Sequence, residues 1–408
     1  MSQRAQRPHE APAIDAAHII TRLAIALLLI GVPIASVLTI RAVYALVPVG
    51  AALSLAAWLL APGERGPQEL RAALFSRAGL VALLLVAWTG LSLIWTPFGT
   101  GPSERFVKTL STCALVAAAA ALLPERTRTS NLYLLPIGVA AGAIAVIVLS
   151  FVGGLQRPAA PGAEFSLGQR ATFGLALLAW PALGALALRE KPRWAVALAV
   201  LVVAALLMAQ TPLALVATAF GALAFAAALT DARKAATGIA LAGALAFLLA
   251  PLFALIVWAA FSPGGPPAFL APSFLWGQFL SLEDIHALTG HGFDSARLGK
   301  AATYLPATTP RSMLFEIWFE LGLVGALASA ALTAIVALGC GRAAPRIAPF
   351  LLGGFAVAFV LCAFGVGISA VWWVTLLALA AFAFALLRHG HARARRPIAS
   401  QAWRDGAV

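Results

Sequence analysis

Long apolar runs follow one another almost without interruption from about Leu23 to about Leu387 of this 408-residue chain. A helix needs roughly 20 residues to cross a bilayer, and the 62% of hydrophobic residues are enough for about twelve such helices with little left over. Soluble domains contain about 25% charged residues, whereas this chain contains 11%. The pattern excludes an ordinary soluble enzyme and predicts a single all-α, polytopic integral membrane domain.

Cutting the apolar runs at Gly, Pro and charged residues predicts where the individual helices lie. The twelve predicted spans are 23–40, 43–61, 79–96, 106–123, 132–152, 170–188, 194–209, 212–229, 237–260, 312–338, 348–367 and 369–387. The membrane domain would then cover 23–387, with a large loop at 261–311 between the ninth and tenth spans. Residues 1–22 and 388–408 would form short tails, the second of them strongly basic.

The distribution of Lys and Arg predicts the orientation of these spans. If the N-terminus lies inside, 20 of the 28 basic residues fall on the inner side and 8 on the outer side. Because Lys and Arg concentrate in cytoplasmic loops, this split predicts that both termini lie in the cytoplasm and that the 261–311 loop lies on the outer face of the membrane. A basic inner face in contact with anionic membrane lipid also explains the net charge of +13, so no nucleic-acid partner is expected.

The basic residues on the outer side oppose this rule and are therefore candidates for function. They are Arg41, Arg105, Lys108, Arg157, Arg170, Arg297, Lys300 and Arg311. An anchor in the headgroup region explains Arg41 and Lys300 most simply. Guanidinium groups bind phosphate oxygens in a fixed bidentate geometry, so a cluster here would suit a phosphate-bearing lipid. We assign substrate binding to Arg105, Lys108, Arg157 and Arg297.

The outer loop is long for a connection in a compact protein, which favours a functional role. It contains five titratable residues that lie close together in sequence, Glu283, Asp284, His286, His291 and Asp294. Leu275, Phe279, Leu282 and Ile285 have helical spacing, which predicts an amphipathic helix along the membrane surface. Gly290 and Gly292 flank His291 in a tight turn that would expose its imidazole, either as a functional group or simply to solvent.

Glu316 and Glu320 lie four residues apart on the helix that follows Arg311. Carboxylates within the membrane are costly, so each either contributes to substrate binding or pairs with a basic residue of a neighbouring helix. Cys113, Cys340 and Cys362 lie in or beside apolar runs and are interpreted as small core residues. The sequence contains no Walker A motif, no clustered His or paired Cys and no GxSxG motif, so we expect no metal and no cofactor.

Three segments together carry a resemblance to a known family. Leu288–Phe293 reads LTGHGF, residues 311–325 read RSMLFEIWFELGLVG, and Leu167–Thr172 reads LGQRAT before continuing to Trp180-Pro181. They resemble the signature of the O-antigen ligase and O-antigen polymerase superfamily. That signature combines a Gly-x-Gly-aromatic turn in the large outer loop, a helix ending in Glu-Leu-Gly-Leu-x-Gly, and a ligase helix that begins with Asn-Arg and runs to Trp-Pro.

The resemblance implies a GT-C-like membrane fold and a metal-independent, inverting glycan transfer at the periplasmic face. The donor would be an undecaprenyl-pyrophosphate-linked glycan, and in ligases the acceptor is a hydroxyl of lipid A-core. Carried over by position, Arg170 would bind the pyrophosphate or stabilise it as the leaving group.

The sequence departs from the family pattern at one position of chemical importance. The family commonly has His-Asn where this chain has Arg311-Ser312. A histidine there is expected to assist the acceptor hydroxyl, and an arginine, which is always protonated, cannot act as a general base near neutral pH. His291, His286 and Glu316 are the available replacements, or the reaction needs little base because the leaving group is good and positive charge is well placed. We assign catalytic roles to His291, Arg170 and Arg311, the last as an additional phosphate ligand.

Two other functions remain open at the level of sequence. A polysaccharide polymerase of the same superfamily would use the same donor but a second carrier-linked glycan as acceptor, and the Gln169-Arg170 helix start favours the ligase. A transporter or flippase for lipid-linked sugar would place charges near the bilayer midplane and show internal repeats, whereas here the charges lie near helix ends.

Overall fold

The computed structural model of the chain describes residues 10–62, 66–123, 129–155, 165–267, 270–282, 286, 288–306 and 308–391. The described residues are helices and connecting turns, without any strand. The α-helices are α1 (Glu10–Ala26), α2 (Val32–Leu38), α3 (Ile40–Leu60), α4 (Gly66–Leu74), α5 (Arg77–Ser92), α6 (Gly101–Ala121), α7 (Leu134–Phe151), α8 (Leu167–Leu188), α9 (Pro192–Met208), α10 (Pro212–Phe261), α11 (Ala271–Leu282), α12 (Ser295–Ala301), α13 (Met313–Glu316), α14 (Gly322–Gly341), α15 (Ala348–Phe364) and α16 (Val371–His391). A π-helical segment, Leu27–Gly31, joins α1 to α2, and a second, Ile317–Leu321, joins α13 to α14.

Each predicted span has a helical counterpart, but the predicted number of twelve spans is wrong. By length and composition, seven helices of the described residues can cross a membrane, or eight if the bent pair α4 and α5 forms one span. The count falls because α9 and α15 have only 17 residues each, which is about 26 Å of helix against roughly 30 Å of hydrocarbon. The number of spans falls further because α6 carries charged residues in its first turns. It also falls because two predicted spans form the single helix α10. The chain is a multi-pass membrane protein.

Helix α10 contains 50 residues and is interrupted at Asp231. A straight helix of that length would measure about 75 Å, more than twice the hydrocarbon thickness. Asp231 has φ −152° and ψ 99°, and its carboxylate accepts hydrogen bonds from the backbone N–H groups of Arg233 and Lys234. It therefore acts as the N-cap of a new helix, at the place where the sequence predicts a loop between two spans.

The core of the bundle surrounds α8. Most of this helix is buried, and it packs against α2, α7, α9, α15 and α16. Trp180 lies between α10 and α15, where a Cβ atom added to Gly221 or Gly353 would overlap its indole ring. Small residues of this kind allow membrane helices to approach closely, so the Trp180-Pro181 pair has a packing role in this fold.

A helix in the predicted segment 275–285 is confirmed in part, because α11 covers Ala271–Leu282 and Ile285 lies outside the described residues. Its predicted position along the membrane surface stays a prediction. This helix packs along the last turns of α10, where Gly277 leaves room for the Ala254 carbonyl and Trp258. The Trp276 ring is buried and meets Phe315 edge to face at a centroid distance of 5.6 Å. The loop is therefore anchored to the bundle and not merely laid beside it.

If the break at Asp231 separates two spans, the two ends of α10 lie on the same side of the membrane and the break lies on the other. We expect cysteines at Gln210 and Tyr304 to react with a membrane-impermeant thiol reagent from one side, and a cysteine at Lys234 to react only from the opposite side. The measurement uses a variant without native cysteines, in sealed vesicles of known orientation. Reaction of Gln210 and Tyr304 from opposite sides would show that α10 crosses once.

Candidate functional site

Five segments that are distant in sequence meet at one end of the bundle. They are the end of α5 with the turn that follows it, the start of α6, residues 288–300, the junction of α13 and α14, and the turn 365–370 before α16. The predicted topology puts these segments at or near the outer side, and the side that this end faces stays a prediction.

Asp294 lies at the centre of this end and its side chain is fully buried. Its carboxylate accepts two hydrogen bonds from Arg297, from Nε at 2.7 Å and from Nη2 at 2.6 Å. The Nε atom of Arg105 lies 3.3 Å from the second carboxylate oxygen. The residue has a positive φ of 64°, a conformation that Asp tolerates better than most residues. A buried carboxylate is thus neutralised by two arginines from different segments.

Arg105 connects Asp294 to the turn before α16. Its Nη1 donates to the Ser369 carbonyl at 2.8 Å. The Ser369 N–H in turn donates to Glu316 Oε2 at 3.1 Å, and the Glu316 carboxylate occupies the space that a side chain at Gly367 would need. Predicted substrate-binding residues Arg105, Arg297 and Glu316 thus come together with Ser369 in one network. Their binding of a substrate stays a prediction.

Glu320 is buried beside this network, in the π-helical segment Ile317–Leu321. Its two carboxylate oxygens accept from the backbone N–H groups of Asp294 at 2.9 Å and Ala296 at 3.2 Å. A carboxylate buried in this way is satisfied by backbone donors from another segment. Glu320 holds the start of α12 against the helix junction, in addition to its predicted role in substrate binding.

The π-helical segment offers its backbone carbonyls to other parts of the chain. The Phe319 and Glu320 carbonyls accept from the N–H groups of His291 at 2.8 Å and Gly292 at 2.9 Å. The Leu321 carbonyl accepts from the Trp88 indole of α5 at 2.9 Å. A helix that continued past Gly322 would use these acceptors internally. The break at Gly322, with φ 63° and ψ −157°, leaves them unpaired as the last carbonyls of the segment, so the loop can dock here.

Two glycines make this docking sterically possible. Gly290 has φ 68° and lies against the Glu320–Leu321 peptide, where a Cβ atom would overlap the Glu320 carbonyl. Gly322 has φ 63° and lies against the Leu288 carbonyl. Both positions need a residue without a side chain and with access to positive φ. The Gly-x-Gly turn and the Glu-Leu-Gly-Leu-x-Gly helix are therefore two halves of one interlocked structure.

His291 is half-buried in this turn. Its ring stacks on Phe319 with a centroid distance of 4.3 Å and meets His286 edge to face at 5.0 Å. Its Nδ1 lies 3.0 Å from the Phe319 carbonyl. Because a carbonyl oxygen only accepts, this contact needs a proton on Nδ1, so the neutral form of the ring would carry its lone pair on Nε2.

Arg170 lies in the first turn of α8, the most buried helix. Ser166 and Gln169 form a reciprocal capping box at this helix start, and the Arg170 Nη2 donates to the Phe165 carbonyl. The buried Nε atom has no hydrogen-bond partner among the described residues. The Phe165 ring meets Trp372 edge to face at a centroid distance of 5.5 Å, so Arg170 and Arg105 both lie next to the start of α16.

Lys108 and Lys300, two of the remaining predicted residues, pair with groups of their own segments. Lys108 is exposed and pairs with Glu104, and this hydrogen bond and the charge of Lys108 hold the pKa of Glu104 below its ordinary value. Arg311 is exposed, just before the Ser312 cap of α13. Lys300 donates to the Thr309 carbonyl at 2.9 Å. Arg157, Glu283 and Asp284 lie outside the described residues.

Sequence reasoning named Asp294 as a titratable loop residue but did not assign it to the site. It also missed Trp88, Ser369 and the backbone turn around Gly367. The signal available for Asp294 was its position directly after the Gly-x-Gly-aromatic turn. Contacts made by backbone groups, such as those of Ser369, cannot be predicted from the residue type.

The described residues contain no group of three or more His, Cys, Asp and Glu side chains that could hold a metal ion. The chain matches no protein-family model, no curated protein and no solved structure.

The pairing of Asp294 predicts that Asp294→Asn destabilises the protein by about 2 kcal/mol, less than the roughly 3–5 kcal/mol for a fully buried pair because the two arginines are partly exposed. The physical reason is that Arg105 and Arg297 lose their shared counter-charge. Thermal unfolding in detergent measures the change, with Glu104→Gln as the control, one residue before Arg105 in an exposed pair. Equal unfolding temperatures for the two variants would contradict a central role for Asp294.

Proposed function

We propose that the chain transfers a glycan from an undecaprenyl-pyrophosphate donor to a sugar hydroxyl, as an enzyme of the O-antigen ligase and polymerase kind. The observation that carries the proposal is the interlocking of the Gly290-His291-Gly292 turn with the helix junction at Gly322. Two motif segments that the resemblance links only by sequence order are in direct contact here. The contact also supports their shared use in one site.

In this proposal Arg170 binds the pyrophosphate. Its guanidinium lies at the positive end of a 22-residue helix, where the helix dipole and the charge both favour an anion. Its buried Nε has no acceptor among the described residues. This supports the role, since a phosphate oxygen that displaced the atoms covering Nε would supply the missing partner. Arg105 is a weaker candidate for direct phosphate contact, because Asp294 already neutralises much of its charge.

His291 would act as the general base through Nε2. The acceptor hydroxyl oxygen attacks the anomeric carbon, the bond from that carbon to the pyrophosphate oxygen breaks, and the hydroxyl proton passes to Nε2. The lipid pyrophosphate leaves with its negative charge stabilised by arginine, and the configuration at the anomeric carbon is inverted. The Nδ1 contact to the Phe319 carbonyl would hold the ring in the tautomer that this step needs. Arg311, exposed above the site, would add a phosphate contact.

The same proposal places the site at the periplasmic face of a bacterial inner membrane, with both termini in the cytoplasm. Lipid A-core is the proposed acceptor. The second candidate is a polysaccharide polymerase, which the same geometry would serve with a carrier-linked glycan as acceptor. A transporter is disfavoured because the charged residues described here lie at one end of the bundle in a closed network, whereas transporters usually place such groups near the midplane.

We expect Arg170→Ala to abolish transfer and Arg170→Lys to restore it poorly, because an ammonium group lacks the planar fork of a guanidinium. The measurement is complementation of a deletion strain. If the protein is a ligase, this strain should lack long-chain lipopolysaccharide and accumulate carrier-linked polymer. Arg193→Ala, an exposed arginine at the start of α9, is the control and should complement fully. Full complementation by Arg170→Ala at equal membrane abundance would leave Arg170 as a lipid anchor. Loss of the polymer itself in the deletion strain would identify a polymerase.

We expect His291→Gln to lower turnover by about 10²- to 10⁴-fold, the usual contribution of a general base, while donor binding changes little. Transfer is measured with purified protein and lipid-linked donor across pH 6 to 8, the range in which histidine ordinarily titrates. His286→Gln, at the neighbouring exposed ring, is the matched control and should stay close to wild type. Full activity of His291→Gln over this range would exclude His291 as the base and leave Glu316 as the next candidate.

A further inference from the structure

A cavity with two basic side chains in its lining lies at the other end of α14, about 30 Å from Gly322 along a helix of 20 residues. It has a volume of about 400 Å³ and is lined by Arg233, Ala236 and Thr237 of α10 and by Leu338 and Arg342 at the end of α14. The two arginines come from different helices and face the same space. Neither belongs to the network around Asp294.

The backbone fixes the position of both arginines. Asp231 caps the second part of α10 and so fixes the backbone position of Arg233 in the first turn of that helix. Gly341 lies against Ala236 and the Ala232 carbonyl so closely that a Cβ atom would overlap Ala236. The two helices are therefore in direct contact beside the cavity, and this close backbone contact fixes the distance between the helices that line it.

The cavity carries positive charge that the described residues do not neutralise. No carboxylate among them lies within ion-pair distance of Arg233 or Arg342. Asp231, the nearest acid in sequence, accepts from backbone N–H groups, and its other carboxylate oxygen lies 3.6 Å from Lys234 Nζ. Two guanidinium groups beside one cavity repel each other unless an anion lies between them, and phosphate oxygens match their geometry.

The surface next to the cavity is apolar and continues along the membrane. Leu241, Leu245 and Leu248 follow Thr237 at helical spacing and are 60%, 42% and 38% exposed. Ala236 and Leu338 form the apolar part of the cavity wall itself. A ligand with a phosphate group and an acyl chain would fit both parts, whereas free phosphate would use only the first.

We propose that this cavity binds the phosphate group of an anionic membrane phospholipid, with one acyl chain along the exposed leucines of α10. Basic pockets between membrane helices are known to hold lipid headgroups in this way. The proposal does not depend on glycan transfer, since it uses no residue of the candidate functional site.

The test is titration of the full-length protein with phosphatidylglycerol in an uncharged detergent, with bound lipid counted by native mass spectrometry. We expect one tightly bound lipid, with affinity about fivefold weaker for Arg233→Gln or Arg342→Gln and about 25-fold weaker for the double variant. Lys234→Gln is the matched control, because it removes a neighbouring charge that does not line the cavity, and it should bind as wild type does. The double variant Arg233→Lys with Arg342→Lys keeps the charge but loses the guanidinium geometry. Its affinity for the lipid should fall between that of the wild type and that of the double glutamine variant.

Diacylglycerol, which has the acyl chains but no phosphate, should not bind at this site. Equal losses for Lys234→Gln and Arg233→Gln would show general surface attraction and would overturn the proposal. Displacement of the lipid by inorganic phosphate at a comparable concentration would overturn the lipid assignment, since the acyl chain would then add nothing. Unchanged lipid binding in the folded double variant would exclude the cavity altogether.

Discussion

The buried carboxylate of Asp294 is the interaction on which one end of this bundle depends. A charge without solvent is stable only when it is paired and hydrogen-bonded, and here the partners come from α6 through Arg105 and from α12 through Arg297. The backbone N–H of the same residue donates to Glu320. Three separate segments must therefore be in place before this aspartate can be buried. The same requirement fixes the positions of the turn at residues 288–293 and of the residues that it carries.

The second constraint is the break in the helix at Gly322, directly after the π-helical segment. It supplies free carbonyls to His291, Gly292 and Trp88, and the close approach then demands glycine at 290 and 322. These glycines are explained by packing whatever reaction the site performs. The side chains most relevant to chemistry are those with a polar atom that makes no hydrogen bond among the described residues. Arg170 Nε is one such atom, and His291, which uses Nδ1 for its described contact, is the other residue to consider.

Much of the fold could be predicted from hydropathy and charge, because spanning helices and their flanking residues obey strong physical rules. The sequence located the break near Asp231 and predicted a loop helix at 275–285, which overlaps α11 at 271–282. The span count failed because hydropathy reports transfer of residues into lipid and does not measure how long each helix becomes; α9 and α15 end after 17 residues. The network at the site was missed because its contacts are remote, with Arg105 and Ser369 separated by 264 positions, and half of its partners are backbone groups.

The two arginines beside the start of α16 differ in what they can still bind. Arg105 shares its charge with Asp294 and donates to Ser369, so an incoming anion would have to compete with partners already present. Among the described residues, Arg170 has a backbone carbonyl as its partner and a buried Nε without an acceptor. An unsatisfied buried donor costs about 1–3 kcal/mol, and it stands at a helix N-terminus whose dipole also favours negative charge. A phosphate oxygen at Arg170 would remove the cost of the unpaired donor and would also be stabilised by the helix dipole. At Arg105 neither contribution would be available. Of these two arginines, Arg170 is therefore the one that keeps a donor unpaired among the described residues.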